Sequence, residues 1–153
     1  AEAAAAPGFS VRVLRMARCF PEPPERMAMF RLHRGIDARD VASAHAALLH
    51  DEGAAFARYI ACAPTPFLRE DCLELATQPR RVLARRAPQL LAEFERRGWP
   101  LPLSIDRVYD SALMRSTLGW QPRFGPDDVL QQYAVGSIEV LPRAEWIKDR
   151  VAE

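Results

Sequence analysis

Residues 11–17, Val-Arg-Val-Leu-Arg-Met-Ala, narrow the possible folds more than any other stretch of this chain. The run is apolar, rich in β-branched residues and of strand length. Its arginines alternate only partly, so neither face reads as solvent-facing. A strand of that kind suits a sheet covered on both faces, which is the habit of parallel sheets with helices packed over them. Helical stretches separate this run from a second strand candidate at residues 58–62, Arg-Tyr-Ile-Ala-Cys. The expected class is therefore α/β or α+β. At 153 residues the chain is about one domain's worth, able to bury about 68–70% of its unfolded surface.

Local chemistry sets most of the other boundaries. Residues 1–6 are strong helix formers stopped by Pro7-Gly8, and the prolines at 21, 23 and 24 predict a loop over 20–24. Residues 27–36 are ambiguous between a short strand and irregular chain. Asp37 is placed as the N-cap of a helix with Asp40 in its first turn and Val41, Ala44 and Leu48 as its apolar stripe. Thr65-Pro66 precedes a short helix over 69–76. From Pro79 the chain reads as arginine-rich helices broken at Pro88 and stopped at Gly98. Residues 105–109 are a strand candidate, and 111–118 a helix with Gly119 at its C′ position. Pro126 opens another helix. Residues 137–153 read as a strand or turn followed by an amphipathic helix from Pro142, with Trp146 and Val151 as its anchors.

Composition excludes several function classes. Twenty-one basic against twenty acidic residues leave a net charge of +1, which offers no footprint for nucleic acid and no polybasic membrane anchor. No apolar stretch approaches the eighteen residues of a membrane span. Residues 1–10 lack the pattern of a secretory signal, and three cysteines without a CxxC argue against a disulfide framework. A cytoplasmic setting is expected. The seven glycines show neither GxGxxG nor P-loop spacing, and Lys148 is the only lysine. His45 and His50 miss the i, i+4 spacing of paired ligands, and His33 stands apart, so no metal site is expected. Cys19, Cys62 and Cys72 read as inert thiols, and no serine lies in a GxSxG elbow. Asp37/Asp40 and Asp127/Asp128 are explained as helix-start carboxylates.

The order of blocks is nevertheless distinctive. Leu14-Arg15-x-x-Arg18-Cys19-Phe20-Pro21 is followed by Asp37-Ala-Arg-Asp40-Val-Ala, then by Arg58-Tyr-Ile-Ala-Cys62-Ala-Pro-Thr65, and finally by Leu118-Gly-Trp-Gln-Pro122. Over residues 9–133 this order resembles the C-terminal part of the extended short-chain dehydrogenase/reductases, the NAD-dependent epimerase/dehydratase family, with its LRxxNxYGP, VDDVA, YNIGSG-type and LGWxP segments. The resemblance implies an incomplete Rossmann-type sheet, its last strands only, plus a small, mainly helical substrate-side lobe over residues 1–135, with 136–153 a helical tail. It implies hydride transfer to and from NAD or NADP at a hydroxyl or carbonyl carbon of a small-molecule substrate. The loop leaving the first strand would then place Cys19 and Pro21 beside the cofactor. Arg18 and Phe20, with His33 and Arg34 further on, would face the substrate. Asp37, Asp40, Tyr109, Gly119 and Trp120 are expected to shape the lobe.

The departures from that pattern decide what the chain can do. The family's Tyr-x-x-x-Lys pair is absent, because Tyr59, Tyr109 and Tyr133 are followed four residues later by Ala63, Leu113 and Ser137. The phosphate-cradling glycine loop is absent too. Both would lie upstream of Ala1, so no catalytic residue and no bound cofactor are expected in this chain alone. Arg18 stands where the family often has a substrate-contacting asparagine. It either binds a carboxylate or phosphate of the substrate, or pairs with Glu22 or Glu25. The alternatives to a substrate-side portion are a non-catalytic interaction module and, more weakly, an arginine-rich adaptor using residues 80–97. Without flanking strands, residues 11–17 present an open edge, so self-association or union with a cofactor-binding half is expected, unless residues 137–153 cover it.

Overall fold

The computed structural model describes residues 9–141. The helical readings of 1–6 and of the chain from Pro142, with Trp146 and Val151, lie outside the described residues. The fold is mixed α/β. Strand β1 (Val11–Met16) and strand β2 (Phe56–Ala61) pair in parallel, Val11 beside Phe56 through Met16 beside Ala61. The crossover between them holds helices α1 (Pro24–His33) and α2 (Ala38–Leu49). After β2 come a 3-10 turn (Arg69–Asp71), α3 (Cys72–Thr77), α4 (Pro79–Arg86), α5 (Pro88–Arg97), α6 (Ala112–Leu118) and α7 (Pro126–Ala134).

Most starts and stops follow the local chemistry. Asp37 caps α2 by accepting the Arg39 amide hydrogen bond at 3.0 Å. Pro79, Pro88 and Pro126 each occupy the first turn of a helix, where the missing N–H costs nothing. Gly98 and Gly119 follow α5 and α6 with φ of 63° and 65°, the left-handed geometry that closes a helix.

Three expectations are corrected. Residues 24–33 form helix α1, with Pro24 as its first-turn proline, and are neither loop nor strand. Met27, Ala28, Met29, Arg31, Leu32 and His33 are all buried and Arg26 alone is exposed, so α1 lacks the apolar stripe against a polar face that marks an amphipathic helix. Residues 105–109 form no strand. They lie outside any helix or strand and donate the Ile105 amide to the Leu75 carbonyl at 2.9 Å and the Tyr109 amide to that of His33 at 2.7 Å, capping the unsatisfied ends of α3 and α1. Finally, β1 is not covered on both faces. Val11 to Leu14 are half-buried, Arg15 and Met16 are exposed, and no further strand lies beside β1 among the described residues.

The buried apolar residues form two bodies. One is the helical lobe, with Met27, Leu32, Leu75, Leu83, Phe94 and Val129 inside it. The second joins the sheet to α2 and α6 through Ala17, Ile36, Ala44, Tyr59, Met114 and Trp120. Gly35 lies between them.

Candidate functional site

At the C-terminal ends of the two strands, beyond the paired residues, the chain after α1 enters. The Arg18 amide donates to the Arg34 carbonyl (2.9 Å), and the Ile36 amide to the Arg18 carbonyl (2.9 Å). On the other side the Ala63 amide donates to the Gly35 carbonyl (2.8 Å). Residues 34–36 are thus stitched to both strand continuations. Gly35 is required here. A Cβ would sit 2.8 Å from the Phe30 carbonyl carbon and 2.9 Å from the Arg31 nitrogen, main-chain atoms that cannot give way. Ligands of open α/β sheets bind outside this end of the strands.

This splice puts a basic and aromatic cluster at the strand ends. The Phe30 ring, from α1, lies under two guanidinium groups, Arg34 at 4.5 Å and Arg18 at 5.5 Å from the ring centroid. Arg18 is also 5.5 Å from the centroid of Phe20, which is 62% exposed. Of the two roles open to Arg18, the structure displays the pairing: its Nη2 donates to Glu22 Oε1 at 2.6 Å, with the Glu22 side chain buried and Arg18 half exposed. Arg34 is less well held. Its Nη1 is 3.8 Å from Asp106 Oδ1, because the other carboxylate oxygen of Asp106 is taken by Arg107.

The remaining candidates do not converge on that cluster in the same way. His33 is buried, edge-on to Phe30, with Nδ1 3.0 Å from the Arg107 carbonyl oxygen. Burial pushes its pKa down to about 4, partly offset by that carbonyl. Its position explains it as a neutral packing residue whose ring orders the Arg107 segment. Cys19 is half-buried and Pro21 exposed in the loop between β1 and α1. Phe30, Asp106 and Arg107 were not singled out in the sequence. Of this cluster, Arg18, Phe20 and Arg34 came from the family resemblance and Glu22 as one of two possible partners of Arg18, whereas Arg107 meets His33 across 74 positions.

A second constellation joins α2 to the loop after α6. Asp40, fully buried, accepts the Arg123 amide at 3.0 and 3.1 Å and the Phe124 amide at 3.0 Å. Ser43 accepts the Trp120 indole N–H at 2.9 Å. Arg39 lies 3.5 Å over the Phe124 ring while its Nε donates to Asp37. Burial alone would raise the Asp37 carboxyl, but the Arg39 side-chain and amide hydrogen bonds and the Arg31 charge hold it below its usual value. These residues anchor the loop after α6 to α2, within the body that contains the sheet.

Elsewhere the chemistry is quiet. Burial pushes the Cys62 thiol up, away from the thiolate a nucleophile needs. Tyr59, also raised by burial, donates its hydroxyl to Asp51 at 3.0 Å. The arginines of α4 and α5 are committed to carboxylates of their own lobe, Arg85 and Arg86 to Asp71, and Arg96 and Arg97 to Glu93. Among the described residues no group of three or more His, Cys, Asp or Glu side chains could hold a metal ion, and no helix is long and apolar enough to cross a membrane. Compared with family models, with curated proteins and with solved structures, the chain matches none.

Proposed function

We propose that this chain is the substrate-side portion of an NAD(P)-dependent epimerase/dehydratase-type oxidoreductase. One observation carries the proposal. The stretches that resemble that family are far apart in sequence, yet they join around the strand ends. The Leu118-Gly-Trp-Gln-Pro122 segment and its continuation hang on Asp40 and Ser43 of the Asp37-x-x-Asp40-Val-Ala helix. That helix follows Gly35, which is bonded to the continuations of the Leu14-Arg15 strand and of the Tyr59-Ile60 strand.

The residues present do not fit a nicotinamide dinucleotide. A pyrophosphate is held by amides of a glycine turn between a strand and a helix N-terminus. Here the described glycines with positive φ, Gly98, Gly119 and Gly136, stand at or just after helix C-termini. With no Tyr-x-x-x-Lys either, the chain performs no hydride transfer alone. Its part is to bind and orient substrate beside a cofactor held by another half.

The test is the reading frame upstream of the Ala1 codon. A glycine-rich strand-turn-helix motif and a Tyr-x-x-x-Lys pair in frame would support the proposal. A frame lacking both would replace it with a non-catalytic interaction module. Calorimetry of this chain with NAD and NADP adds a second check. Saturable binding tighter than about 100 μM, roughly 5.5 kcal/mol, would contradict the absence of a dinucleotide site.

A further inference from the structure

We infer that the Arg18–Phe30–Arg34 cluster is a subsite for an oxyanion, a carboxylate or a phosphate carried by a small molecule. Calling that molecule the substrate rests on the function proposed above; the binding itself does not.

Three observations lead to it. First, two like charges share one aromatic ring, with Arg34 and Arg18 at 4.5 and 5.5 Å from the Phe30 centroid. Stacking on a ring face holds a guanidinium in place while leaving its edge donors unused. Second, those donors lack matching acceptors. Arg18 spends a single directed hydrogen bond, to Glu22. Among the described residues the Arg34 side chain makes no hydrogen bond, its nearest carboxylate being Asp106 at 3.8 Å, and its Nε is buried without an acceptor there. A buried N–H left without a partner is costly, and an anion drawing the guanidinium round would relieve it. Third, the cluster stands where the two parallel strands end, beside Phe20, whose exposed ring offers an apolar wall for the body of such a ligand.

The local charge count supports an anion. Arg18, Arg34 and Arg107 face Glu22 and Asp106, a surplus of one positive charge, and His33 is neutral at physiological pH because burial lowers its pKa to about 4. Asp106 is the natural competitor. It is half exposed and already engaged by Arg107, so its hold on Arg34 is long and weak.

The experiment is a titration of the 15N-labelled chain with inorganic phosphate and, separately, with succinate at constant ionic strength, following the Nε–H resonances of Arg18 and Arg34. Saturable shifts of both resonances are expected. A tighter response to phosphate names a phosphate ligand; a tighter response to succinate names a carboxylate. Asp106→Asn removes the competing carboxylate and should tighten binding about two- to fivefold, the range of an exposed ion pair. Arg34→Gln should abolish saturation. Only shifts that grow linearly with anion concentration in the unmodified chain, or an Asp106→Asn variant that binds no better, would overturn the assignment. Because these readouts need neither cofactor nor turnover, their failure is distinct from the failure of the upstream-frame test.

Discussion

Replacing Asp40 by alanine should unfasten the loop after α6, and the size of the effect can be worked out from its contacts. The carboxylate is fully buried and accepts from two main-chain amides, those of Arg123 and Phe124, at 3.0 to 3.1 Å. Hydrogen bonds to a charged group contribute about 1.5–3 kcal/mol each, whereas an amide left unpaired costs about 1–3 kcal/mol. Arg123 itself is exposed and Phe124 half-buried, so water can reach part of the vacated site and the lower end applies. The expected loss is about 2–4 kcal/mol, or roughly 6–15 °C in Tm for a chain of this size. Thermal unfolding followed by circular dichroism measures the total. Hydrogen exchange at the Arg123 and Phe124 amides locates it, because protection there should collapse while that of β1 persists. Ser43→Ala removes the indole hydrogen bond together with the one the hydroxyl donates to the Asp40 carbonyl, and should cost about 1–2 kcal/mol. The double variant should lose less than the sum, since both residues hold one segment. A drop below about 3 °C for Asp40→Ala, with exchange at those amides unchanged, would refute the anchoring role.

Gly35→Ala should destabilise the chain by about 3 kcal/mol, read from the urea midpoint, because the added Cβ meets main-chain atoms of Phe30 and Arg31 at 2.8 to 2.9 Å; a midpoint within error of the parent would disprove that contact. Stability should fall with acid through His33. Its folded pKa of about 4 lies below the ordinary 6.5, so its contribution is complete above about pH 6.5 and is lost progressively as pH falls towards 4, by at most about 3 kcal/mol. His33→Asn should flatten that part of the pH–stability curve, and an unchanged slope would show that the imidazole is free to protonate. Light scattering over a hundredfold dilution should find the chain self-associated, through the β1 edge that carries no strand among the described residues; a monomer near 17 kDa throughout would refute this.

What was legible in the sequence depended on the range of the forces involved. Asp37, Pro79, Pro88, Pro126, Gly98 and Gly119 marked their helix ends correctly because capping and fixed φ act within one turn. Strand β2 was legible from its β-branched and aromatic core. Helix α1 was not, because burial on most sides erases the periodicity that distinguishes a helix. Residues 105–109 looked like a strand because their composition does not reveal whether the amides pair with a strand or, as here, with helix ends. In the site, the sequence offered Glu22 and Glu25 as partners of Arg18, and the structure selects Glu22. Phe30 lies only four positions from Arg34 and twelve from Arg18, but it sits on α1, the helix the sequence did not show. Asp106 and Arg107 meet Arg34 and His33 across more than seventy positions, which no local pattern encodes.

The splice at Gly35 has a consequence for how this molecule can diverge. The helical lobe and the sheet body meet there through main-chain hydrogen bonds, from Arg18 and Ala63 to the 34–35 carbonyls and from Ile36 back to Arg18. Main-chain geometry is the same whatever side chains surround it. The lobe could therefore exchange its core residues, and with them the shape it offers a ligand, without disturbing the register of the sheet, as long as position 35 stays glycine. A joint of this kind makes the two bodies separately variable parts on a fixed hinge pin.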